Sequence, residues 1–294
     1  MGIPDVERLT EMTKKISLLP MKYADASMFE AAPMEEPGSV RVHLLSMTED
    51  PLGVIAAACR MYEGKPTYSL SDVSDDERQH YAQQVQQTHL KAPLEFVKMH
   101  FFIEGVPRSF THQMVRQRTA VFSQESMRFA VKENFAKESY LPPSLAELPA
   151  HHPTRQMWDE HMDNVEKTYN FLVANGIPAE DAREMLPHNT TTRLNYATDL
   201  RNLSDHAGNR LCTQAQFIWR DVFNKIVQAI REYSPQGAAL AELPLFKPVC
   251  YQLGRCPFKA DFDRGCTIRG RVDNMDFDSI DDSEWMMDAK AAWL

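Results

Sequence analysis

The segment from Arg116 to Phe129, RQRTAVFSQESMRF, concentrates side chains that could bind a phosphate and a polar ring. Three arginines, Arg116, Arg118 and Arg128, flank a run of serine, glutamine and glutamate side chains that includes Glu125. This density of donors around one carboxylate is unusual for a packed core, because each buried charge needs a partner. Guanidinium groups match phosphate oxygens in pairs. The segment therefore predicts a small pocket for a ligand with a phosphate and a polar ring.

The composition is that of a globular protein, and it narrows the possible functions. Of 294 residues, 43% are hydrophobic and 25% are charged, with a net charge of −9. That charge argues against general nucleic-acid binding, which relies on broad basic surfaces. No run approaches the ~20 apolar residues that span a bilayer, and the polar N-terminal MGIPDVERLT is unlike a secretory signal. Five widely spaced cysteines are typical of reduced thiols. We expect a cytoplasmic protein that binds neither nucleic acid nor membrane.

Metal and dinucleotide motifs are weak in this chain. Cys250, Cys256 and Cys266 lie in one late segment without a CxxC pair or a nearby histidine. Packing or free thiols is therefore favoured over zinc. No GxGxxG follows a predicted strand, so no Rossmann site is predicted.

The first half of the chain mixes strand and helix patterns. Alternating apolar and polar residues predict a strand over Val40–Leu45. The alanine-rich Leu52–Tyr62 predicts a helix, and Ser74, followed by acids, predicts a helix N-cap. The apolar run Leu94–Ile103 predicts another helix. Phe110–Val115 leads into the arginine-rich segment, which is expected to pass from a helix end to a loop or strand.

The second half is predicted to be helical. A proline-rich loop is expected over Leu141–Pro153, before a helix over Arg155–Ala174 that Asn175-Gly176 closes. The remaining predictions are a short helix that starts at Pro178, a helix over Asp199–Leu211 capped by Thr198, and a helix with an apolar stripe over Ala215–Tyr233.

These elements predict a single α+β domain, with helices packed around a mixed or antiparallel sheet. The acid-rich residues 276–294 are expected to form a tail, which leaves residues 1–275 for the domain.

The arginine-rich segment resembles the RHR-x7-S signature of flavin-dependent thymidylate synthases, with Gln117 in the histidine position. Three more segments resemble that family in order. QMVRQR (Gln113–Arg118) matches its QxxRHR lead-in, and AREMLP (Ala182–Pro187) matches its ARxxLP segment. DLRNLSDHAGNRL with AQ (Asp199–Gln216) matches its NxRSLxxFLxxR…AQ helix. Four ordered matches are far more specific than a lone Arg-x-Arg.

The resemblance implies the α+β fold of that family and its reaction. The expected activity is reductive methylation of dUMP to dTMP, with FAD as the cofactor. Methylenetetrahydrofolate is the one-carbon donor, and NADPH reduces the flavin that supplies the hydride. The expected partners are dUMP, folate and NADPH, bound to a homotetramer whose sites are shared between subunits.

The resemblance also assigns residues to the site. Arg210 is the expected catalytic residue, because it faces the pyrimidine and stabilises the N3-deprotonated ring. The expected substrate-binding residues are Gln113, Arg116, Glu125, Ser126, Met127, Arg128, Arg183 and Arg210. The expected cofactor-binding residues are Ala92, Arg116, Gln117, Arg118, Glu125, Asp199, Arg201, Asp205 and Gln214.

Ser126 and Glu125 each admit two interpretations. The Ser126 hydroxyl could be a nucleophile, but no nearby histidine in the sequence would activate it. The resemblance implies that reduced flavin delivers a hydride to the pyrimidine, so we assign Ser126 to substrate binding. Glu125 could form an ion pair with a neighbouring arginine or could orient both nucleotide and flavin. These roles are compatible, because a paired carboxylate is held rigidly.

Arg201 and Arg210 should point to opposite sides of one helix. They are nine residues apart, which is about 900° of rotation along a continuous helix. One copy of the helix cannot easily direct both into one pocket. We therefore expect sites shared between subunits, with Arg201 toward a flavin and Arg210 toward a pyrimidine.

Five positions depart from the family pattern: Ala92, Gln117, Asp199, Asp205 and Gln214. A carboxylate beside an anionic reduced flavin, such as Asp199 or Asp205, is unfavourable unless it is paired with Arg201. Two alternatives therefore stay open. One is a related flavin-dependent enzyme that modifies another pyrimidine nucleotide, and the other is a non-catalytic nucleotide-binding homologue.

Overall fold

The protein is built on a four-stranded antiparallel sheet, in a computed structural model that describes residues 38–88, 90–132 and 134–253. The strands are β1 (Arg41–Met47), β2 (Lys98–Pro107), β3 (Val121–Gln124) and β4 (Thr191–Asp199). The α-helices of the described residues are α1 (Pro51–Tyr62), α2 (Asp75–Gln87), α3 (Arg108–Met114), α4 (Phe135–Glu138), α5 (Pro143–Ala146), α6 (Pro153–Ala174), α7 (Ala179–Ala182), α8 (Leu200–Arg210), α9 (Phe217–Tyr233), α10 (Pro235–Ala241) and α11 (Val249–Leu253). Short 3₁₀ helices cover Leu70–Asp72, Ala92–Phe96, Arg183–Met185 and Pro244–Phe246.

The strand order β1-β2-β4-β3 makes β2 and β4 the inner strands. Phe101 on β2 lies opposite Leu44 on β1 and Tyr196 on β4. On the other side of β4, Val121 lies opposite Ala197, so β3 forms an edge of the sheet. This pairing fixes the second half of the arginine-rich segment to the sheet.

The main core lies between the sheet and helices α1, α8 and α9. Its fully buried members include Ile55, Phe101, Ile103, Leu194, Tyr196, Leu203, Val222, Phe223 and Ile226. Burial of one such side chain stabilises the fold by roughly 1.5 to 3 kcal/mol. A smaller cluster of Phe135, Met162 and Val165 holds α4 against α6. The predicted α+β architecture is confirmed, and the pairing in the sheet is antiparallel throughout.

The prediction of a helix over Leu94–Ile103 is wrong. A short 3₁₀ helix covers Ala92–Phe96, and β2 then begins at Lys98. The apolar run fits both periodicities, but both edges of β2 are paired, by β1 and by β4. Aromatic and β-branched residues such as Phe101 and Ile103 pack well on the pleated surface of such a strand.

The predicted cap of α8 is off by one residue. Asp199, not Thr198, is the N-cap, and its Oδ1 accepts a hydrogen bond from the backbone N–H of Asn202 at 2.9 Å. Thr198 lies in β4, which runs through Asp199. The N-cap at Ser74 is confirmed, because Ser74 Oγ accepts from the N–H of Glu77 and Glu77 Oε2 accepts from the N–H of Ser74.

Most other predicted elements are confirmed at their positions, namely β1, α1, α6, α7 and α9. Gly176, with φ of +82°, follows the end of α6 as expected. The predicted loop over Leu141–Pro153 contains the short helix α5 and the first residue of α6. The expected tail over 276–294, Cys256 and Cys266 lie outside the described residues.

The described residues contain neither a membrane-spanning helix nor a cluster of metal ligands. None of their helices is long and apolar enough to cross a membrane. They also contain no group of three or more histidine, cysteine, aspartate or glutamate side chains that could hold a metal ion.

Candidate active site

The first half of the arginine-rich segment forms an exposed turn between α3 and β3. Arg116 and Arg118 are exposed there, and neither side chain forms a hydrogen bond or ion pair with another described residue. Between them, Gln117 Oε1 accepts a hydrogen bond from the Tyr196 hydroxyl at 3.1 Å. Tyr196 is fully buried, and burial raises its pKa to about 12. Gln117 thus ties the turn to the sheet, and the two arginines are left available to a ligand.

The second half contributes to a group that we call the arginine cluster: Arg108, Arg128 and Arg183, with Glu125 and Glu180. Arg128 forms a salt bridge with Glu180 at 3.0 Å, and Arg183 Nε donates to the Glu180 backbone carbonyl at 3.1 Å. These contacts bring Arg128 and Arg183 together, although 55 positions separate them in the sequence.

Ser126 and Met127 begin the turn that carries Arg128. Ser126 Oγ accepts a hydrogen bond from the Arg128 backbone N–H at 3.3 Å. The Ser126 carbonyl accepts from the N–H groups of Phe129 and Ala130. Met127 is 7% exposed and packs inward, whereas Ser126 is exposed. The serine hydroxyl therefore lies at the surface of the arginine cluster.

Arg108 is a functional candidate that sequence reasoning missed. It begins α3 directly after β2 and is half-buried. Its guanidinium forms no hydrogen bond or ion pair with any residue in the described ranges. Burial lowers its pKa, and Arg183 lowers it further, while Glu125 opposes both effects. The sequence feature that could have indicated Arg108 is its position shortly before the QMVRQR segment, at the junction of a strand and a helix. Among the described residues, the guanidinium of Arg108 thus has no carboxylate partner, which suits an anionic ligand.

Glu125 is held by a lysine and not by an arginine. Lys132 Nζ donates to Glu125 Oε2 at 2.8 Å, and Thr192 Oγ1 lies 3.5 Å from the same oxygen. The backbone N–H of Glu125 donates to the carbonyl of Arg193 on β4. Glu125 therefore forms an ion pair as expected, but its cation is Lys132, which lies outside the arginine-rich segment.

A second group, which we call the indole cluster, consists of Gln113, His206, Arg210, Gln216 and Trp219. The Arg210 guanidinium carbon lies 4.3 Å from the centroid of the Trp219 ring. Trp219 Nε1 donates to Gln113 Oε1 at 3.0 Å, and Gln113 Nε2 donates to Gln216 Oε1 at 3.3 Å. Arg210 Nε donates to His206 Nε2 at 3.5 Å. Burial lowers the pKa of Arg210.

A cleft of about 640 Å³ lies between α2, α8 and the segment after α10. Its polar lining includes Lys91, Arg201, Asp205 and three glutamines of α2, Gln83, Gln86 and Gln87. Lys91 Nζ donates to the carbonyls of Val85 and Gln86 at the end of α2. Burial raises the pKa of Asp205, and the nearby charges of Arg201 and Lys91 act against that rise.

Arg201 and Asp199 form ion pairs with different residues. Arg201 forms an ion pair with Glu95, whereas Asp199 caps α8 and lies 3.4 Å from Lys98 Nζ. Among the described residues, Arg201 thus pairs with Glu95 and not with Asp199. A cofactor contact by Asp199 stays a prediction, as do those of Ala92, at the start of its 3₁₀ helix, and Gln214, in the turn before α9.

The two arginines of α8 face different surroundings. Arg201, near the start of the helix, lines the 640 Å³ cleft, and Arg210, at its end, stacks on Trp219. This agrees with the expected rotation of half a turn between them. The arginine cluster, the indole cluster and the cleft share no residue.

Comparison with known proteins identifies the family. The family model described as thymidylate synthase complementing protein matches residues 43–236. The flavin-dependent thymidylate synthase of Pyrococcus abyssi is 31% identical over 236 residues, which cover 79% of this chain and 95% of that protein. The enzyme of the same name from Clostridium tetani is 28% identical over 239 residues, or 74% and 90% of the two chains.

A solved structure shares the fold. The crystal structure of the UMP/dUMP methylase PolB from Streptomyces cacaoi, bound with 5-Br dUMP, superposes with a TM-score of 0.54 at 20% identity. The match covers 69% of this chain and 94% of that one. With the fold and the extended sequence matches in agreement, the chain belongs to the thymidylate synthase complementing protein family, the family of the flavin-dependent thymidylate synthases.

Proposed function

We propose that the protein converts dUMP to dTMP by reductive methylation. Methylenetetrahydrofolate would be the one-carbon donor, and NADPH would reduce the bound FAD. The observation that carries the proposal is the arginine cluster, where Arg108 has no carboxylate partner among the described residues. The relatives named flavin-dependent thymidylate synthases support it.

The arginine cluster would bind the 5′-phosphate of the nucleotide. Arg108, Arg128 and Arg183 supply guanidinium donors, and Ser126 adds a hydroxyl at the surface of the cluster. Guanidinium groups match a phosphate in paired hydrogen bonds. A dianionic phosphate would neutralise the surplus positive charge of the half-buried Arg108, so binding would also relieve the repulsion between Arg108 and Arg183.

The indole cluster would bind the pyrimidine ring. Arg210 is fixed by the Trp219 ring and by His206, and Gln113 presents an amide beside it. A fixed guanidinium stabilises negative charge as a proton leaves N3 of the ring. Because the partners of Arg210 are neutral, its charge is not offset by a carboxylate of the described residues.

The cleft beside α8 fits part of a flavin dinucleotide. Lys91 and Arg201 would supply positive charge to the phosphates, beside the carboxylates of Asp205 and Glu242 in the same lining, and the α2 glutamines would supply amide donors. Its volume of about 640 Å³ is in the usual range for cofactor sites. Reduced flavin bound there would supply the hydride. The protein residues would hold it and orient it toward the pyrimidine.

The separation of Arg201 and Arg210 supports sites shared in a homotetramer. This can be tested by mixing two inactive variants, Arg201→Ala and Arg210→Ala, after dissociation and reassembly. If each site takes its two arginines from different subunits, mixed tetramers contain some complete sites and regain activity. If both arginines act in the same subunit, the mixture stays as inactive as its components.

The direct test is mass analysis of the nucleotide product. Protein loaded with FAD is incubated with dUMP, methylenetetrahydrofolate and NADPH without oxygen. We expect a product heavier than dUMP by one methylene group. Omitting the folate should leave dUMP unchanged. A protein that binds flavin and oxidises NADPH but leaves dUMP unmodified in the complete mixture would overturn the proposal.

A further inference from the structure

Lys132 is a buried cation four positions beyond Arg128. Its side chain is 4% exposed and forms a salt bridge with Glu125 at 2.8 Å. No other hydrogen-bond partner of its ammonium group lies within the described ranges. A buried ammonium is costly unless it is paired, so Lys132 and Glu125 depend on one another.

The geometry of the pair leaves one carboxylate oxygen without a donor. Both Lys132 Nζ and Thr192 Oγ1 approach Oε2 of Glu125, at 2.8 and 3.5 Å. Oε1 accepts no hydrogen bond from any described residue. The backbone of Glu125 is fixed to β4 through Arg193. The carboxylate is thus held by one oxygen and the backbone, with the second oxygen open to a ligand.

We propose that Lys132 is a positioning residue of the nucleotide site, which acts through Glu125. By holding Oε2, it presents Oε1 to a hydroxyl donor of the nucleotide, the 3′-hydroxyl of the deoxyribose. This rests on the proposed function, in which Arg108, Arg128 and Arg183 bind the 5′-phosphate. A sugar attached to that phosphate lies beside the cluster and therefore beside Glu125, which acts electrostatically on Arg108.

Lys132 has a second effect through its charge. The Glu125 carboxylate would repel a phosphate bound at Arg108 and Arg183, and the ammonium of Lys132 neutralises it. The arginines then act on the phosphate with their charge undiminished. Removing Lys132 should therefore weaken nucleotide binding in two ways, through the hydroxyl contact and through repulsion of the phosphate.

The test compares dUMP with 2′,3′-dideoxyuridine 5′-monophosphate by calorimetry on FAD-loaded protein. The wild type should prefer dUMP by about tenfold or more, because a hydrogen bond to a charged group is lost with the hydroxyl. In Lys132→Met the preference should fall below about threefold, and Lys132→Arg should retain much of it. The exposed Lys137 provides the matched control, and Lys137→Met should behave as the wild type.

A second comparison covers the case in which Lys132→Met does not fold, because it leaves Glu125 unpaired. Glu125→Gln alone is compared with Glu125→Gln/Lys132→Met, in which both charges are gone. If Lys132 acts only through Glu125, the two proteins bind dUMP equally well. A further loss of about tenfold in the double variant would overturn the inference. So would an unchanged hydroxyl preference in a folded Lys132→Met protein. A wild type that binds no dUMP would instead overturn the proposed function.

Discussion

The guanidinium of Arg210 lies over the indole of Trp219, 4.3 Å from the ring centroid, and the same indole donates its N–H to Gln113 at 3.0 Å. One aromatic side chain therefore orders two polar groups from different helices, α8 and α3. A guanidinium over an aromatic face is stabilised without a counter-charge. Arg210 is thus fixed in direction while its positive charge is left for a ligand.

Arg210→Ala should abolish most dTMP formation and leave the flavin reducible by NADPH. Loss of a fixed charge directed at developing negative charge typically lowers the rate by roughly two to three orders of magnitude. Lysine should substitute poorly, because it offers a point charge in place of a planar fork. The measurement separates flavin reduction by NADPH from flavin reoxidation by dUMP and folate. Near-normal reoxidation with dTMP produced would show that the activating charge is on another residue. Arg201→Ala is the comparison variant, and we expect it to lose activity through weaker flavin binding instead.

Trp219→Phe removes the indole N–H and keeps an aromatic ring beneath Arg210. We expect nucleotide affinity to fall by about tenfold, because Gln113 loses the donor that fixes its amide. Trp219 is fully buried, so the smaller ring should also reduce the free energy of unfolding by roughly 1 to 3 kcal/mol. Calorimetric titration with dUMP and urea unfolding measure the two effects separately. A loss of stability with unchanged nucleotide affinity would restrict Trp219 to a structural role.

The features that depend on a local sequence pattern could be predicted. Those that depend on pairing between residues distant in the sequence could not. The half-turn between Arg201 and Arg210 follows from helix geometry alone, and the structure agrees with it. The strand β2 was mistaken for a helix because its sheet partners, β1 and β4, are distant in sequence. The roles proposed for Arg108 and Lys132 could not be predicted from the sequence either. Their significance comes from burial and from partners that the fold brings to Glu125.

Ser126→Ala should retain measurable turnover with weaker dUMP binding. The hydroxyl of Ser126 is exposed, and its oxygen accepts a weak hydrogen bond from the Arg128 N–H at 3.3 Å. Its loss should raise the KM for dUMP by about tenfold while kcat changes less, since one hydrogen bond to a charged group is removed. Steady-state kinetics with titration of dUMP gives both quantities. Complete loss of the chemical step, with dUMP affinity and flavin reduction intact, would instead assign Ser126 a nucleophilic or proton-transfer role.

Gly105→Ala should destabilise the fold more than any ordinary surface substitution. Gly105 has φ of +73° at a register shift between β2 and β4, and an added Cβ would lie 1.7 Å from the backbone oxygen of Ser39. The backbone cannot move without disturbing the sheet, so we expect a loss of roughly 2 to 4 kcal/mol in the free energy of unfolding.

Gly64→Ala is the matched control. Its φ is +72°, but nothing lies within 4 Å of the added Cβ, so urea unfolding should show a loss of only about 1 to 2 kcal/mol. Equal losses in the two variants would show that the clash with Ser39 is relieved.

His206 should make the stability of the protein sensitive to acid. Burial against the rings of Trp219 and Phe223 lowers its pKa to about 4, and the nearby charge of Arg210 contributes to this shift. In the unfolded chain the pKa returns to about 6.5, so the unfolded state binds the proton more tightly. The resulting stability is present above pH 6.5 and is lost as the pH falls toward 4. Between pH 7.5 and 4.5 this contribution to the free energy of unfolding changes by about 2 to 3 kcal/mol.

Urea unfolding of the wild type and of His206→Phe at both pH values isolates the contribution of His206, since the other titratable groups are common to both proteins. The difference between the two pH values should be smaller in His206→Phe by that amount, whereas the exposed control His151→Phe should match the wild type. Equal pH dependence in the wild type and His206→Phe would mean that the imidazole can take up a proton in the folded protein without disturbing Arg210.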